Sequence, residues 1–257
     1  MKIEAIYIAP VKSLALVSPA RVHVGARGIV EDRRFFIISD RDRLVTQREI
    51  GALAQVRASY AIEPEVLRME FPDGGVVEDA PADGDAVSAR FFGARDVAGF
   101  VVGGGWGEAL SKFAGVPLRL VRSAGNSFDA LPISICSTAS VDALRLSSGA
   151  SQIEVRRFRP NFYVSGCGAH EEDDWIGGTV SLGEARVKVH MRDERCVMTT
   201  HDPDSGERDI DTLRMIAAHR TDQPNQVNFG VYGGVEQPGD VAVGDEVRPP
   251  VREEVQS

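Results

Sequence analysis

Cysteine is scarce: the 257 residues hold three, Cys136, Cys167 and Cys196. That is too few and too scattered for a disulfide framework, and it rules out a four-thiolate iron–sulfur site built from this chain alone. No apolar run approaches the roughly 20 residues that a membrane-spanning helix requires, and Met1-Lys2-Ile3-Glu4 does not open a secretory signal. A reducing, cytoplasmic setting without membrane association is therefore expected. Net positive charge is missing too. At −9 the chain is a poor candidate for nucleic acid, because counterion-release binding needs a basic face. The same acidity permits a basic redox partner to dock without requiring one. A dinucleotide fingerprint is also absent. The nearest stretch, V-V-G-G-G-W-G from Val101 to Gly107, lacks the G-x-G-x-x-G register with its downstream acid. It reads as a loop before a short helix, and no flavin or nicotinamide motif is visible. Neither internal repeats nor low-complexity segments occur.

What is present is the ordinary composition of a soluble globular protein, 43% hydrophobic and 26% charged, long enough for one large domain or two small ones. The first hundred residues read as strands. I-E-A-I-Y-I-A is β-branched and aromatic and stops at Pro10, which leaves Lys12 and Ser13 on a loop. Phe35 to Ile38 should pair with Leu44 to Thr46 across the polar turn at Ser39 to Arg43. Leu67, Met69 and Phe71 alternate before the hairpin turn P-D-G-G. A helix is expected from Trp106, with Gly115 as its C-cap and Pro117 beyond, and the domain boundary near it. P-L-R-L-V-R is a strand, and Ser137 or Thr138 should cap a helix carrying Val141 and Leu144 on one face. V-R-R-F-R-P-N is either a solvated strand end or an anion site. The acids of H-E-E-D-D-W-I-G read as a solvated loop rather than a metal cage, since consecutive carboxylates repel and no spaced ligands accompany them. Ile210, Leu213, Ile216 and Ala217 define one face of a helix, with His219 expected to interact with its C-terminus. N-F-G-V-Y-G-G-V and the segment through Val247 close the sheet. The polar tail at 251–257 should be disordered.

One stretch stands apart: R-D-E-R-C-V-M-T-T-H-D-P-D-S-G, from Arg192 to Gly206. Thiolate is the form that binds metals and attacks electrophiles, and a fixed guanidinium beside a thiol favours it. Arg195 is next to Cys196. V-M-T-T is strand-like and D-P-D-S-G is turn chemistry, which puts Cys196 late in a strand, close to a loop. An isolated cysteine is more often a buried structural thiol, and Cys167 in S-G-C-G reads that way.

This stretch resembles the cysteine loop of the MOSC family (molybdenum cofactor sulfurase C-terminal domain), whose pattern is close to C-x-R-C-x-x-T-T-x-D-P-x-T-G. Arg195, Cys196, Thr199, Thr200, Asp202, Pro203 and Gly206 match; Asp193 stands in place of the pattern's first cysteine and Ser205 in place of a threonine. Y-x-x-P-V-K-S at the start and D-R-x-F at Asp32, Arg33 and Phe35 are similar to the family's N-terminal extension. R-F-R-P-N, E-D-x-W-x-x-G and F-G-x-Y with P-G-x-V-x-V-G-D-x-V resemble later segments. The resemblance covers nearly the whole chain. It implies a mainly β fold with a few helices: an N-terminal MOSC β-barrel extension over 1–100, packed against a MOSC β-barrel over 101–250.

It also implies a site between the two for the molybdenum cofactor, with Lys12, Ser13, Arg33, Arg159, Asn161 and Arg195 as cofactor-binding residues and Cys196 as metal ligand and catalytic residue. Like the amidoxime-reducing branch, such a protein would reduce a small N-hydroxylated substrate with electrons from an external partner, whether a ferredoxin, a cytochrome b5-like protein or a flavin reductase. Other classes compete. A cofactor carrier or sulfur-transfer protein would keep the pocket and load Cys196 with a persulfide. A pyridoxal-phosphate enzyme using Lys12 is disfavoured, because the large lyase domain of the cofactor sulfurases is missing. The last alternative is a non-catalytic binding module.

Overall fold

The computed structural model describes residues 1–92, 95–125, 127–224 and 226–250. The expected disordered tail at 251–257 lies outside them. The fold is mainly β with three α-helices among the described residues. Its largest sheet has seven strands, in the order Lys2–Ile6, Phe162–Ser165, Ile133–Ser137, Asn228–Gln237, Ala185–Glu194, Thr179–Leu182 and Val247–Arg248. The first and last strands nearly meet. Lys2 bridges Glu246, and Val247 N–H donates to Met1 C=O at 3.0 Å, so the sheet curls almost into a closed barrel. Alternating side chains fill its interior: Ile3, Ile6, Ile135, Phe162, Val164, Val187, Val189 and Val231 are all buried. Each fully buried branched aliphatic contributes about 1.5–3 kcal/mol. Ile133–Ser137 and Phe162–Ser165 run parallel, which demands a crossover. Helix Thr138–Ser148 begins it, with Ser137 Oγ accepting from Ser140 N–H at 3.1 Å.

A second sheet has five strands, ordered Leu44–Val45, Phe35–Ser39, Leu118–Ser123, Asp96–Val102 and Asp83–Arg90. Leu118–Ser123, beyond the expected division at residue 100, lies in its centre against Phe35–Ser39. Helix Trp106–Ala114 seals one side through Trp106 and Leu110, and ends at Gly115 in the left-handed region with φ 71. Two small sheets complete the structure. Arg57–Ile62, Glu65–Glu70 and Val76–Asp79 form a meander, and Arg21–Gly25 joins Gly28–Ile29 to Gly239–Ala242 from the far end of the chain.

Four local expectations are corrected. V-M-T-T is a 3-10 turn, Val197–Thr200, because Thr199 Oγ1 and Thr200 Oγ1 donate back to the carbonyls of Cys196 and Val197 at 3.1 and 2.7 Å; hydroxyls offer the backbone an alternative to the ladder. Val155–Phe158 is likewise a 3-10 turn, not a strand end. The acids of Glu171–Trp175 are not simply solvated: Glu172 is fully buried and accepts from the hydroxyls of Ser137 and Ser140, while Asp173 pairs with Arg192 and Arg220. His219 meets another histidine rather than its own helix end, with Nε2 2.8 Å from His170 Nε2.

Candidate functional site

Five described non-glycine residues have positive φ, and three of them, Ser13 (φ 72), Arg33 (φ 49) and Arg159 (φ 48), line one cavity. The left-handed region costs such residues free energy, so its concentration here marks a site that the surrounding structure holds in place. Lys12 N–H donates to Phe35 C=O at 2.7 Å, which pins the Lys12–Ser13 loop to the five-stranded sheet. Arg33 pairs with the buried Asp32, whose other oxygen accepts from Ala9 N–H at 2.7 Å. Arg159 caps the 3-10 turn Val155–Phe158 and donates to Leu14 C=O at 2.9 Å. Lys12 Nζ sits 2.8 Å from Asp129.

The cavity, about 130 Å³, is walled by Lys12, Ser13, Arg33, Arg159, Arg195 and Cys196 among others. Through Arg159 it adjoins a larger one of about 630 Å³ bounded by Ala15 and Leu16, Ala54 and Gln55, and the turn Asp202 to Ser205. Burial pulls the Lys12 ammonium below its usual range against the attraction of Asp129. Burial and the neighbouring Arg33 charge pull Arg159 down to about 10. Burial is the main cause of both shifts, and Arg33 goes the other way, raised by its pairing with Asp32.

Cys196 follows strand Ala185–Glu194 and stands at the head of Val197–Thr200, half-buried and free. The other two thiols are poorer candidates. Burial raises Cys136 well above the usual thiol range and also raises Cys167. Arg195 is anchored away from a purely electrostatic role: Nε and Nη1 donate to Phe229 and Phe158 carbonyls at 2.7 and 2.6 Å, Nη1 lies 2.8 Å from Asp193, and Nη2 is buried without a hydrogen-bond partner. Gly230 makes the space, since a Cβ there would stand 3.2 Å from Nη2.

Asn161, expected at the cofactor, is not in the cavity wall. Its amide donates to Asp32 Oδ2 and Tyr7 C=O and accepts from Ser134, so it braces the segment that presents Arg33. Asp129, Asp193 and Tyr232 also line the wall without having been read as site residues. Asp129 carried no local mark, Tyr232 stood only as the last position of F-G-x-Y, and Asp193 stood out only as a departure from the cysteine pattern. Burial pushes the Asp193 carboxyl up to about 7 against the pull of Arg195.

Known proteins match along nearly the whole length. The MOSC N-terminal beta barrel domain model matches residues 1–96 and the MOSC domain model residues 123–248. The chain is 29% identical over 286 residues to mitochondrial amidoxime-reducing component 1 of Xenopus laevis, covering 95% of this chain and 81% of that protein. It is 28% identical over 282 residues to mitochondrial amidoxime reducing component 2 of Homo sapiens, covering 95% and 82%. Human molybdenum cofactor sulfurase is 23% identical, over 98% of this chain and 32% of its own length. Among solved structures, the YUAD protein of Bacillus subtilis aligns over 96% of this chain and 93% of its own at 16% identity with a TM-score of 0.47. With both family models matched in order, the chain belongs to the MOSC family, its MOSC domain preceded by the MOSC N-terminal beta barrel domain.

Proposed function

We propose that this chain binds the molybdenum cofactor in the cavity at Cys196 and reduces N-hydroxylated small molecules with electrons from a separate carrier. One observation carries the reading: Lys12, Arg33 and Arg159 converge from distant segments on a cavity whose wall holds one half-buried thiol. The amidoxime-reducing names of relatives that cover 95% of the chain support it.

The donor set fits such a group. Guanidinium and ammonium groups suit a phosphate, with Arg able to donate parallel hydrogen bonds. Thiolate is the soft ligand for a metal of this kind. Among the described residues no group of three or more His, Cys, Asp or Glu could hold a metal ion, so the metal would bring ligands of its own. Lys12, Ser13, Arg33 and Arg159 would hold the anionic end, Cys196 would bind the metal, and Asn161 and Arg195 would keep the cradle in shape. When bound, the cofactor supplies two-electron redox chemistry. The protein's part is to orient the substrate beside Cys196, limit water and deliver protons.

Metal and pterin analysis with turnover of an aryl amidoxime tests this. A reduced viologen dye, or an added reductase and carrier such as a ferredoxin or cytochrome b5-like protein, should drive turnover, while NADH alone should not. Cys196→Ser should abolish turnover with the fold intact, because a hydroxyl nearly fills the thiol's volume but ligates this metal poorly. Retained activity and metal in that variant would remove Cys196 from the site. Cofactor retained without turnover would favour a carrier.

A further inference from the structure

Asp193 is a buried carboxylate in the cavity wall. It is 2% exposed, yet it lines the same cavity as Cys196 and Tyr232. On its strand Arg192 pairs with Val231 and Glu194 with Asn228, so the partner strand spends one residue more than Ala185–Glu194 does across this step. Gly230, with φ 80, absorbs the difference. Irregularities of this kind occur beside active sites, where they re-aim side chains. Asp193 Oδ2 is ion-paired with Arg195 Nη1 at 2.8 Å, in an alignment that makes no hydrogen bond, and Tyr232, another residue of the cavity wall, hydrogen-bonds the carboxyl. A buried carboxyl oxygen that meets a guanidinium without completing a hydrogen bond keeps a lone pair available on the cavity wall.

We propose that Asp193 is a catalytic residue, the acid that protonates the departing hydroxyl oxygen of an N-hydroxylated substrate; this rests on the reductase reading above. Reduction of an N–OH compound consumes two electrons and two protons. The N–O bond breaks with its electron pair on oxygen, and the Asp193 proton completes a water molecule. A second proton, from solvent, goes to nitrogen, and solvent reprotonates the carboxylate. The electrons come from an external one-electron carrier or dye. Arg195, Asp129, Tyr232 and Arg33 are the charged or titratable groups that act on Asp193. Burial outweighs Arg195 and pushes the carboxyl up to about 7, so near neutral pH much of it carries the proton. A general acid works best with its pKa near the working pH. The mere structural role would be to hold Arg195 on the carbonyls of Phe158 and Phe229.

Asp193→Asn separates the two roles, because the amide keeps the side chain's shape and a carbonyl oxygen beside Arg195 while the group no longer donates an acidic proton. With benzamidoxime and reduced methyl viologen, kcat should fall about 100-fold or more, the scale general acids contribute, with KM little changed and molybdenum and pterin content equal to wild type. Wild-type kcat should decline as pH rises through about 7, and the residual activity of the variant should lack that decline. Infrared spectra of the cofactor-free protein should show a carboxylic-acid carbonyl band that titrates near neutrality and is missing in Asp193→Asn. Unchanged kcat, loss of cofactor from the variant, or a wild-type band that has already ionised at pH 5 would each overturn the proposal. No turnover by fully loaded wild type would overturn the reductase reading and this one with it; normal wild-type turnover beside an equally active variant overturns this one alone.

Discussion

At the scale of single residues, the cations around the cavity differ in what else they support. Lys12 is tied to Asp129, which is more than half exposed, and Arg159 to one backbone carbonyl. Removing either leaves little that is buried and unsatisfied. Lys12→Ala and Arg159→Ala should therefore weaken cofactor retention more than folding, by about 1.5–3 kcal/mol each, the worth of a charge-assisted contact. Pterin and molybdenum per chain after dialysis, read beside the melting temperature, checks this. Occupancy equal to wild type in both variants would take these side chains out of the binding site. Cys136→Ser and Cys167→Ser should leave turnover nearly untouched, because neither thiol lines the cavity.

At the scale of elements, a close backbone approach helps hold the cysteine loop, beside the ion pairs of Arg156 with Asp204 and Arg157 with Asp202. Gly206, with φ 76, approaches Gly51 at the start of the 3-10 helix Gly51–Gln55 so closely that a Cβ would stand 1.9 Å from the Gly51 oxygen. The reciprocal Cβ on Gly51 would stand 2.3 Å from the Gly206 oxygen, and Gln55 Nε2 donates to Ser205 C=O at 3.0 Å beside them. Gly51→Ala or Gly206→Ala should cost about 1–3 kcal/mol of stability, the usual price of overpacking and backbone strain, and should loosen the Asp202 to Ser205 wall of the larger cavity. Chemical denaturation with cofactor analysis measures both.

The histidine pair is a second device at this scale. Arg220 Nη1 lies 3.1 Å from His170 Nδ1. An arginine can only donate, so His170 keeps its proton on Nε2 and donates it to His219 Nε2. Burial, followed by Arg220 and His219, pulls His170 from 6.5 down to about 4. Between those values the unfolded chain binds more protons than the folded one. The stability the neutral ring contributes is complete above pH 6.5 and is lost as pH falls toward 4. His170→Gln should flatten the fall in urea midpoint across that window. Parallel slopes in the two proteins would show that the pair does not carry it.

At the scale of the whole molecule, the chain's two halves are interleaved. Lys2–Ile6 pairs with Phe162–Ser165, Arg21–Gly25 with Gly239–Ala242, and Leu118–Ser123 fills the middle of the sheet containing Phe35–Ser39. Residues 1–100 alone would lack the central strand of their own sheet, and 101–250 alone would lack an edge of the barrel. Separate fragments should therefore stay unfolded or aggregate, and the intact chain should unfold in one transition with coincident circular dichroism and fluorescence. A stable, cooperatively folding 1–100 fragment would contradict this. The charged cavity lies where the two sets of strands meet, so loss of either set removes part of it.

Much of this architecture was legible in residue order because its causes are local. Alternation at Leu67 and Met69 gave a strand face, Gly115 and Ser137 marked helix ends, and the cysteine loop with its turn singled out Cys196. These are effects of neighbours within about four residues, where propensity, capping and turn chemistry act. Tertiary structure decided the rest. Pairing across the chain committed Asn161 to Asp32 and Tyr7, buried Glu172 between two serines, and set Asp129, Asp193 and Tyr232 facing the cations. Burial and long-range charge have no period in a sequence: the shifts at Lys12, Arg159 and Asp193 exist only once the loops and turns carrying residues 12, 33, 129, 159 and 195 share one cavity with too little water to screen them.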